Sequence, residues 1–410
     1  MSIRAGSILH VGGQNVIDRI QQAGLGNVNL PVETIREVGN RQVVDKITQE
    51  PDFSFSIQSF NVGIELMAFL TGHSGTSQAS GAGPGATDPE GTEYNWLDCG
   101  FVNIASPWKN PATGSAGIVE AGHLIPGYYP TKYSLSFGVT DNAQQTAELS
   151  GGSFFYAKAA PREEKFEGNG ATTAFETTDV TVHYRKGGSE GSTFRDVFGV
   201  IVGGTLMTEG IDYTVTGGNG SKAKIEFTVA PANKADIRCC YFTSAEKSFP
   251  QTVHASSQVV PGAVRGRNIV IKVAGARLGG VQTFTLEATV EGEVEREMGT
   301  EDVIGYVVNG TDCNGTATVR AKDKAAFFSA LNKVTGVSES EVFGWFNDHT
   351  VELLVEIQNP KNPGQILKKV KVTDAKFEPP GTPAQVNQAT DFQFQWSSVT
   401  GTFSEVKGSI

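Results

Sequence analysis

The strongest local charge signal in the chain is Glu291-Gly-Glu-Val-Glu-Arg-Glu297, where Glu291, Glu293, Glu295 and Glu297 occupy alternate positions. On an extended strand successive side chains point to opposite faces, so all four carboxylates share one face. Like charges two residues apart on a strand lie about 7 Å from each other, inside the roughly 8 Å screening length of physiological salt, and the column repels itself. Three assignments fit: a wall that keeps polyanions off, a solvated outer strand, or acids that pair with basic residues of a neighbouring chain. A sparser version occurs earlier, where Glu33 and Glu37 match Glu293 and Glu297 and Ile35 replaces Glu295.

Other chemistries find no footing. The six histidines, His10, His73, His123, His183, His254 and His349, are scattered, without a zinc-binding pair or a nearby cysteine. Gly12-Gly13 and Gly203-Gly204 lack the Lys and the Ser or Thr of a phosphate loop and read as turns. Cys99, Cys239, Cys240 and Cys313 have no metal-ligand spacing, and neighbours such as Cys239 and Cys240 point to opposite faces of a strand, so free thiols are expected. No basic, aromatic-interleaved face marks sequence-specific nucleic-acid recognition. The expectation is a protein without a catalytic site, metal or cofactor.

The run 73–93 is rich in Gly, Ser and Pro and almost free of apolar residues. A loop of this length inside a domain is uncommon unless functional or disordered. Ser74, Gly75, Gly81, Gly83, Pro84, Asp88 and Glu90 therefore form either an arm that orders against a neighbouring subunit or ring, or a surface insertion.

The elements that would position these residues come in two series. Arg36-Glu37-Val38-Gly39-Asn40 matches Arg296-Glu297-Met298-Gly299-Thr300, each ending an extended segment, 29–38 and 283–298. Phe53, Phe55 and Ile57 alternate with Ser54, Ser56 and Gln58; Ala317, Val319 and Ala321 alternate with Thr316, Thr318 and Arg320. Both are the period-two mark of a half-buried strand. Each strand leads into a helix: Asn61 caps 62–71 with Gly72 as its stop, and Asp323 caps 324–335 with Gly336 as its stop. Asn110-Pro111 and Asn359-Pro360 then open glycine-containing loops, 142–146 has a counterpart in 386–390, and 4–13 reads like 267–275. A short extra helix at 338–346, with Ser338 and Glu341 as a capping box, is peculiar to the second series. An internal repeat reinterprets the whole fold. The domains are 1–161 and 247–410, with a different unit, 162–246, between them.

At 410 residues, with 39% hydrophobic content and 49 glycines, the chain can bury more than one core and favours short strands and tight turns. The middle unit places short strands at 172–176, 179–184, 197–202, 212–216, 224–229 and 236–242, the spacing of a small sandwich whose termini lie close together. Met1-Ser-Ile-Arg-Ala-Gly lacks the regions of a signal peptide and no apolar run approaches membrane length, so synthesis in the cytoplasm without membrane insertion is expected.

Residues 130–151, Pro-Thr-Lys-Tyr-Ser-Leu-Ser-Phe-Gly-Val-Thr-Asp-Asn-Ala-Gln-Gln-Thr-Ala-Glu-Leu-Ser-Gly, resemble the late hairpin of bacteriophage tail tube proteins. The hairpin at Val38-Gly39-Asn40, the strand-to-helix step at 52–72, and the segments 372–381 and 391–396 are similar to that family too. Phe166-Glu-Gly-Asn-Gly170, 210–215 and 225–231 resemble the small immunoglobulin-like modules of many virion proteins. The resemblance implies a mainly β fold: two tail-tube-type β-sandwich or barrel domains, each with a flanking α-helix, plus an immunoglobulin-like sandwich between them. It implies a structural virion protein whose homotrimers close pseudo-hexameric rings, stack into a tail tube and pass the genome to the host. Partners would be identical chains, a tape-measure protein, tail terminator and distal tail or baseplate proteins, with double-stranded DNA as transient cargo. The acidic strands would then line the channel, and the net charge of -11 agrees in sign. Two other assignments stay open: a baseplate or distal-tail ring protein of the same fold, and a carbohydrate-binding adhesin centred on 162–246.

Overall fold

In the computed structural model the described residues are 8–11, 15–16, 20–25, 32–35, 45–48, 53–63, 66, 92–93, 100–109, 116–151, 155–157, 159–182, 184–185, 194–203, 205–218, 220–243, 264–296, 303–320, 350–362, 364–378 and 391–407. They are mainly β, built into large antiparallel sheets. The helices expected at 324–335 and 338–346 lie outside the described residues, as do most of 62–71, where Leu66 is helical and fully buried.

The first part of the chain supplies β1 (Ile8–Val11), β2 (Asn15–Val16), β3 (Ile20–Leu25), β4 (Val32–Ile35), β5 (Asp45–Thr48), β6 (Phe53–Ser59), β7 (Thr92–Glu93), β8 (Gly100–Lys109), β9 (Ala116–Gly138), β10 (Gln144–Gly151) and β11 (Phe155–Ala157). The middle supplies β12 (Ala160–Glu167), β13 (Ala174–Val180), β14 (Tyr184–Arg185), β15 (Phe194–Arg195), β16 (Val197–Val202), β17 (Thr205–Met207), β18 (Tyr213–Gly217), β19 (Lys222–Phe227) and β20 (Asp236–Thr243). The last part supplies β21 (Ile269–Val273), β22 (Ala276–Arg277), β23 (Val281–Arg296), β24 (Val303–Arg320), β25 (Val351–Gln358), β26 (Ile366–Phe377), β27 (Asp391–Ser398) and β28 (Ser404–Lys407).

Outside the middle unit, strand pairing repeats almost partner for partner. The pairs β1·β2, β1·β8, β8·β9, β9·β10, β10·β6, β6·β3 and β9·β11 recur in the same order as β21·β22, β21·β25, β25·β26, β26·β27, β27·β24, β24·β23 and β26·β28. Even a bulge is repeated, between Ile20 and Gln22 against β6 and between Val281 and Thr283 against β24. That bulge sets Ile57 in register with Ala317 and Phe55 with Gly315, so the alternating strands read from the sequence correspond with a shift of four residues from a simple matching of their first apolar positions. In each repeat one long strand changes partners along its length: β9 pairs with β8 and β11 first and β10 later, β26 with β25 and β28 first and β27 later. Such strands turn the corner between two packed layers.

The two repeats share one sheet. The outer edge of β9 pairs with β23, from Lys132 opposite Thr289 to Gly138 opposite Thr283. Aromatic side chains seal this junction: Phe137 stacks on Phe284 with centroids 5.2 Å apart, Tyr129 on Tyr306 at 4.8 Å and Tyr133 on Phe403 at 5.1 Å. Each pair contributes about 0.5–1.5 kcal/mol beyond the area it buries. Beneath them lies a fully buried ion pair of the second repeat, Lys368 Nζ to Glu405 Oε1 at 2.5 Å, and its lysine reaches across to the first repeat. Lys368 also donates to Tyr133 Oη at 3.2 Å and Gln145 Oε1 at 3.1 Å, while Gln145 Nε2 donates to the Asn61 carbonyl at 2.6 Å. A charge taken out of water is tolerated only with this degree of hydrogen bonding.

The middle strands form separate sheets, β12-β20-β16-β17 and β13-β19-β18, around their own core of Val197, Val200, Tyr213, Ile225, Ile237 and Cys239. Its two ends are neighbours, since Ala160 pairs with Thr243. Alternation along β20 divides its side chains between two cores: Cys239 and Tyr241 face the small one, Cys240 and Phe242 the large one. Glu163, opposite Cys240, and Arg238 are buried too, with 6% and 1% of their surfaces exposed.

Candidate functional site

The large sheet buries one face and exposes the other. Across the strands, Ile57, Ala147, Tyr133, Ala288 and Cys313 form a row of fully buried residues. The next row along has the opposite orientation and is wholly polar: Gln58, Thr146, Ser134, Glu287, Asn314 and Ser397. Ser56, Glu148, Lys132, Thr289 and Asp312 make a second polar row, and Gln144, Ser136, Thr285, Thr316 and Gln395 a third. The strict alternation of Ser, Thr and Gln with apolar residues produces this carpet, and the β9·β23 junction carries it unbroken from one repeat into the other.

The polar side chains satisfy one another. Thr283 Oγ1 donates to Thr318 Oγ1 at 2.9 Å, Thr285 and Thr316 share a hydrogen bond of 2.9 Å, and Gln58 Nε2 donates to Gln144 Oε1 at 3.0 Å. Charges are sparse and mostly negative. Glu148, Glu287, Glu291, Asp312 and Asp391 stand on this face with Lys132 and Arg320, and Lys132 Nζ lies 3.6 Å from Glu287. A phosphate backbone meeting this surface would find few cations to hold it and a surplus of carboxylates to turn it away.

The acidic column lies on β23. Glu291, Glu293 and Glu295 are all exposed, opposite Gly310, Val307 and Gly305 of β24. Past Thr289, the last residue paired with β9, these two strands stay paired as far as Arg296 and Val303, with one face held down by Tyr306 on Tyr129 and the acidic face open. Glu33 is exposed on β4, opposite Ile47 in the two-stranded β4·β5 hairpin, the matching place in the first repeat. Glu37 and Glu297 lie outside the described residues, as do Ser74, Gly75, Gly81, Gly83, Pro84, Asp88 and Glu90. The sequence reading found the column and missed the neutral rows beside it, together with Lys132 and Glu287. The period-two Thr-x-Thr-x-Glu-x-Thr of 283–289 and Gln-x-Gln of 393–395 was the available signal.

Nucleophile and metal chemistry have little to work with among the described residues. Cys239, Cys240 and Cys313 are free and buried, and burial pushes the Cys313 thiol up to about 12, with Asp312 and Asp374 adding to the shift. A thiol held so is inert. No group of His, Cys, Asp and Glu side chains is placed to hold a metal ion, and no helix is long and apolar enough to cross a membrane, both among the described residues. No model of a known protein family and no curated protein sequence matches this chain.

Proposed function

We propose that this chain is the tail tube protein of a long-tailed bacteriophage, a structural virion component that closes homotrimeric, pseudo-hexameric rings and stacks them into a DNA conduit. The observation that carries the reading is the edge-to-edge union of two repeats into one sheet with a single neutral-to-acidic face. Within the chain, β9 of the first repeat fills the outer edge of β23. The strand that matches β23 in the first repeat is β3, and among the described residues β3 pairs with β6 alone. The stretch of the second repeat that matches the β9 edge follows Phe377 and lies outside the described residues. Repeating the internal junction between chains extends the sheet by a fixed rotation, and a head-to-tail contact that closes gives a ring. Closure removes the exposed edges.

On this reading the polar face lines the channel, where hydroxyls and amides occupied by one another leave DNA unheld and carboxylates repel it. The repeats are the two tube domains, the middle unit is an immunoglobulin-like decoration on the outside, and the partners are identical chains, a tape-measure protein, tail terminator and distal tail proteins. Assembly takes place in the host cytoplasm and the product resides in the virion tail.

Electron microscopy of the concentrated protein, with the ring mass measured in parallel, tests this. Hollow tubes with three chains per ring are expected. A ring of six whole chains refutes the trimer, and closed rings that never stack move the assignment to a baseplate ring. Ile201, Cys240 and Phe242 of the middle unit pack in the large core, so the unit is kept in the test; glycan binding by the intact chain, lost on substituting its exposed residues such as Ile211 and Val229, would favour the adhesin.

A further inference from the structure

The two ends of β23 differ in charge. At its start, Val281 and Gln282 help line a cleft of about 200 Å3 together with Phe137, Val139, Arg267 and Arg277. Arg265, Arg267 and Arg277 are exposed there, and Arg320 reaches the same end through its amide, which donates to the Gly280 carbonyl at 3.0 Å. Among the described residues the acids at this end are Asp141, beside Gly138, and Asp391, opposite Arg320. Lys272, nearby on β21, is neutralised by Glu356 at 2.7 Å. Arg267 and Arg277, both on the cleft, have no ion pair among the described residues.

At the other end is the β23·β24 hairpin, packed on one face through Tyr306 against Tyr129 and exposed on the other. Glu291, Glu293 and Glu295 have no ion pair there among the described residues, Val307 is 40% exposed, and the facing stretch 303–311 contains no basic residue. At the rise of an extended strand, Glu293 lies about 40 Å from Val281. The hairpin therefore cannot fill the cleft of its own chain, whereas the same two surfaces on separate copies are complementary in charge.

We propose that the acidic hairpin of one chain docks head to tail into the arginine cleft of a second copy of this chain. This rests on the tube reading and supplies its axial contact, the one that joins successive rings. Guanidinium groups suit the task, since their planar fork matches a carboxylate. Single exposed ion pairs contribute little, so one hairpin in one cleft is weak, and only a ring presenting several at once binds firmly. That difference keeps single chains apart while rings stack.

The test is sedimentation velocity on the full chain at low and high salt. It compares the wild type with Glu291→Lys/Glu293→Lys/Glu295→Lys, with Arg267→Glu/Arg277→Glu, and with all five changes combined. Circular dichroism checks that each variant is folded. Each reversal should weaken association beyond the smallest stable particle by about tenfold or more, as high salt should in the wild type, and the combination should restore it. Either reversed variant assembling like the wild type overturns the proposal, as does a folded combined variant that fails to recover. Duplex DNA held by the wild type and released by Arg267→Glu/Arg277→Glu, with self-association unchanged, overturns it in favour of a phosphate site. The smallest particle reports separately on the ring: a charge rule obeyed by chains that never form trimers would sink the tube and keep this contact, and trimers that stack regardless of charge would do the reverse.

Discussion

Glu163 gives the molecule a pH dependence whose sign and size follow from its surroundings. Its carboxylate oxygens have no hydrogen-bond partner among the described residues, and burial raises its pKa from an ordinary 4.5 to about 7. Arg238 and Lys165 pull it down and Asp236 pushes it further up, none of them enough to reverse the effect of burial. Between these two pH values the folded chain keeps a proton that the unfolded chain has released. The unfolded state then binds fewer protons, and stability falls as pH rises through the window. Below about pH 4.5 both states are protonated and the penalty vanishes; above about pH 7 both are ionised and it is complete. At about 1.4 kcal/mol per pH unit the whole window amounts to about 3 kcal/mol. Glu163→Gln keeps the shape of the protonated acid and removes the titration. Urea unfolding of the two proteins, followed by circular dichroism from about pH 4 to about pH 8, should show their stability difference growing across the window in favour of the variant. A difference that is flat with pH, or that turns in favour of the wild type as pH rises, would refute the reasoning.

Lys368→Met leaves Glu405 charged and buried without its cation, and should cost about 3–5 kcal/mol, read as a lowered melting temperature in calorimetry; Lys368→Met/Glu405→Leu should recover most of it. Gly315→Ala places a methyl 2.0 Å from the Thr285 carbonyl oxygen and 2.6 Å from the Trp396 ring, and a loss of about 2 kcal/mol or more in urea unfolding is expected. Gly279→Ala meets nothing within 4 Å and should stay within about 0.5 kcal/mol of wild type in the same measurement.

The repeat was legible in the order of its elements and hidden in its side chains, for a reason visible at two positions. In the first repeat Phe55 sits beside Leu149; in the second their places are taken by Gly315 and Trp396. Likewise Ile57 beside Ala147 becomes Ala317 beside Phe394. Core volume is conserved across each pair of strands while it moves from one strand to the other, which packing permits and residue-by-residue matching cannot see. Strands such as β6, β16 and β20 announced themselves by alternation or apolar runs. Of the 23 residues of β9 only 130–138 were legible, as the first arm of the hairpin at 130–151; the earlier part pairs with β8 and β11, partners that no local pattern names. The acidic column stood out because charge is conspicuous in a sequence. The neutral rows beside it did not, since Ser134 faces Glu287 only through a junction between strands far apart in the chain.

The attachment of the middle unit has a practical consequence. Ala160 and Thr243 enter and leave it as directly paired residues, so the two connecting chains stand about 5 Å apart at the boundary. An independently folding domain whose own ends are that close could be spliced between them, provided it also covers the part of the large core that Ile201, Cys240 and Phe242 cover. Each chain thus has a socket, and if chains assemble in a regular array, that array becomes a periodic display of whatever the socket holds.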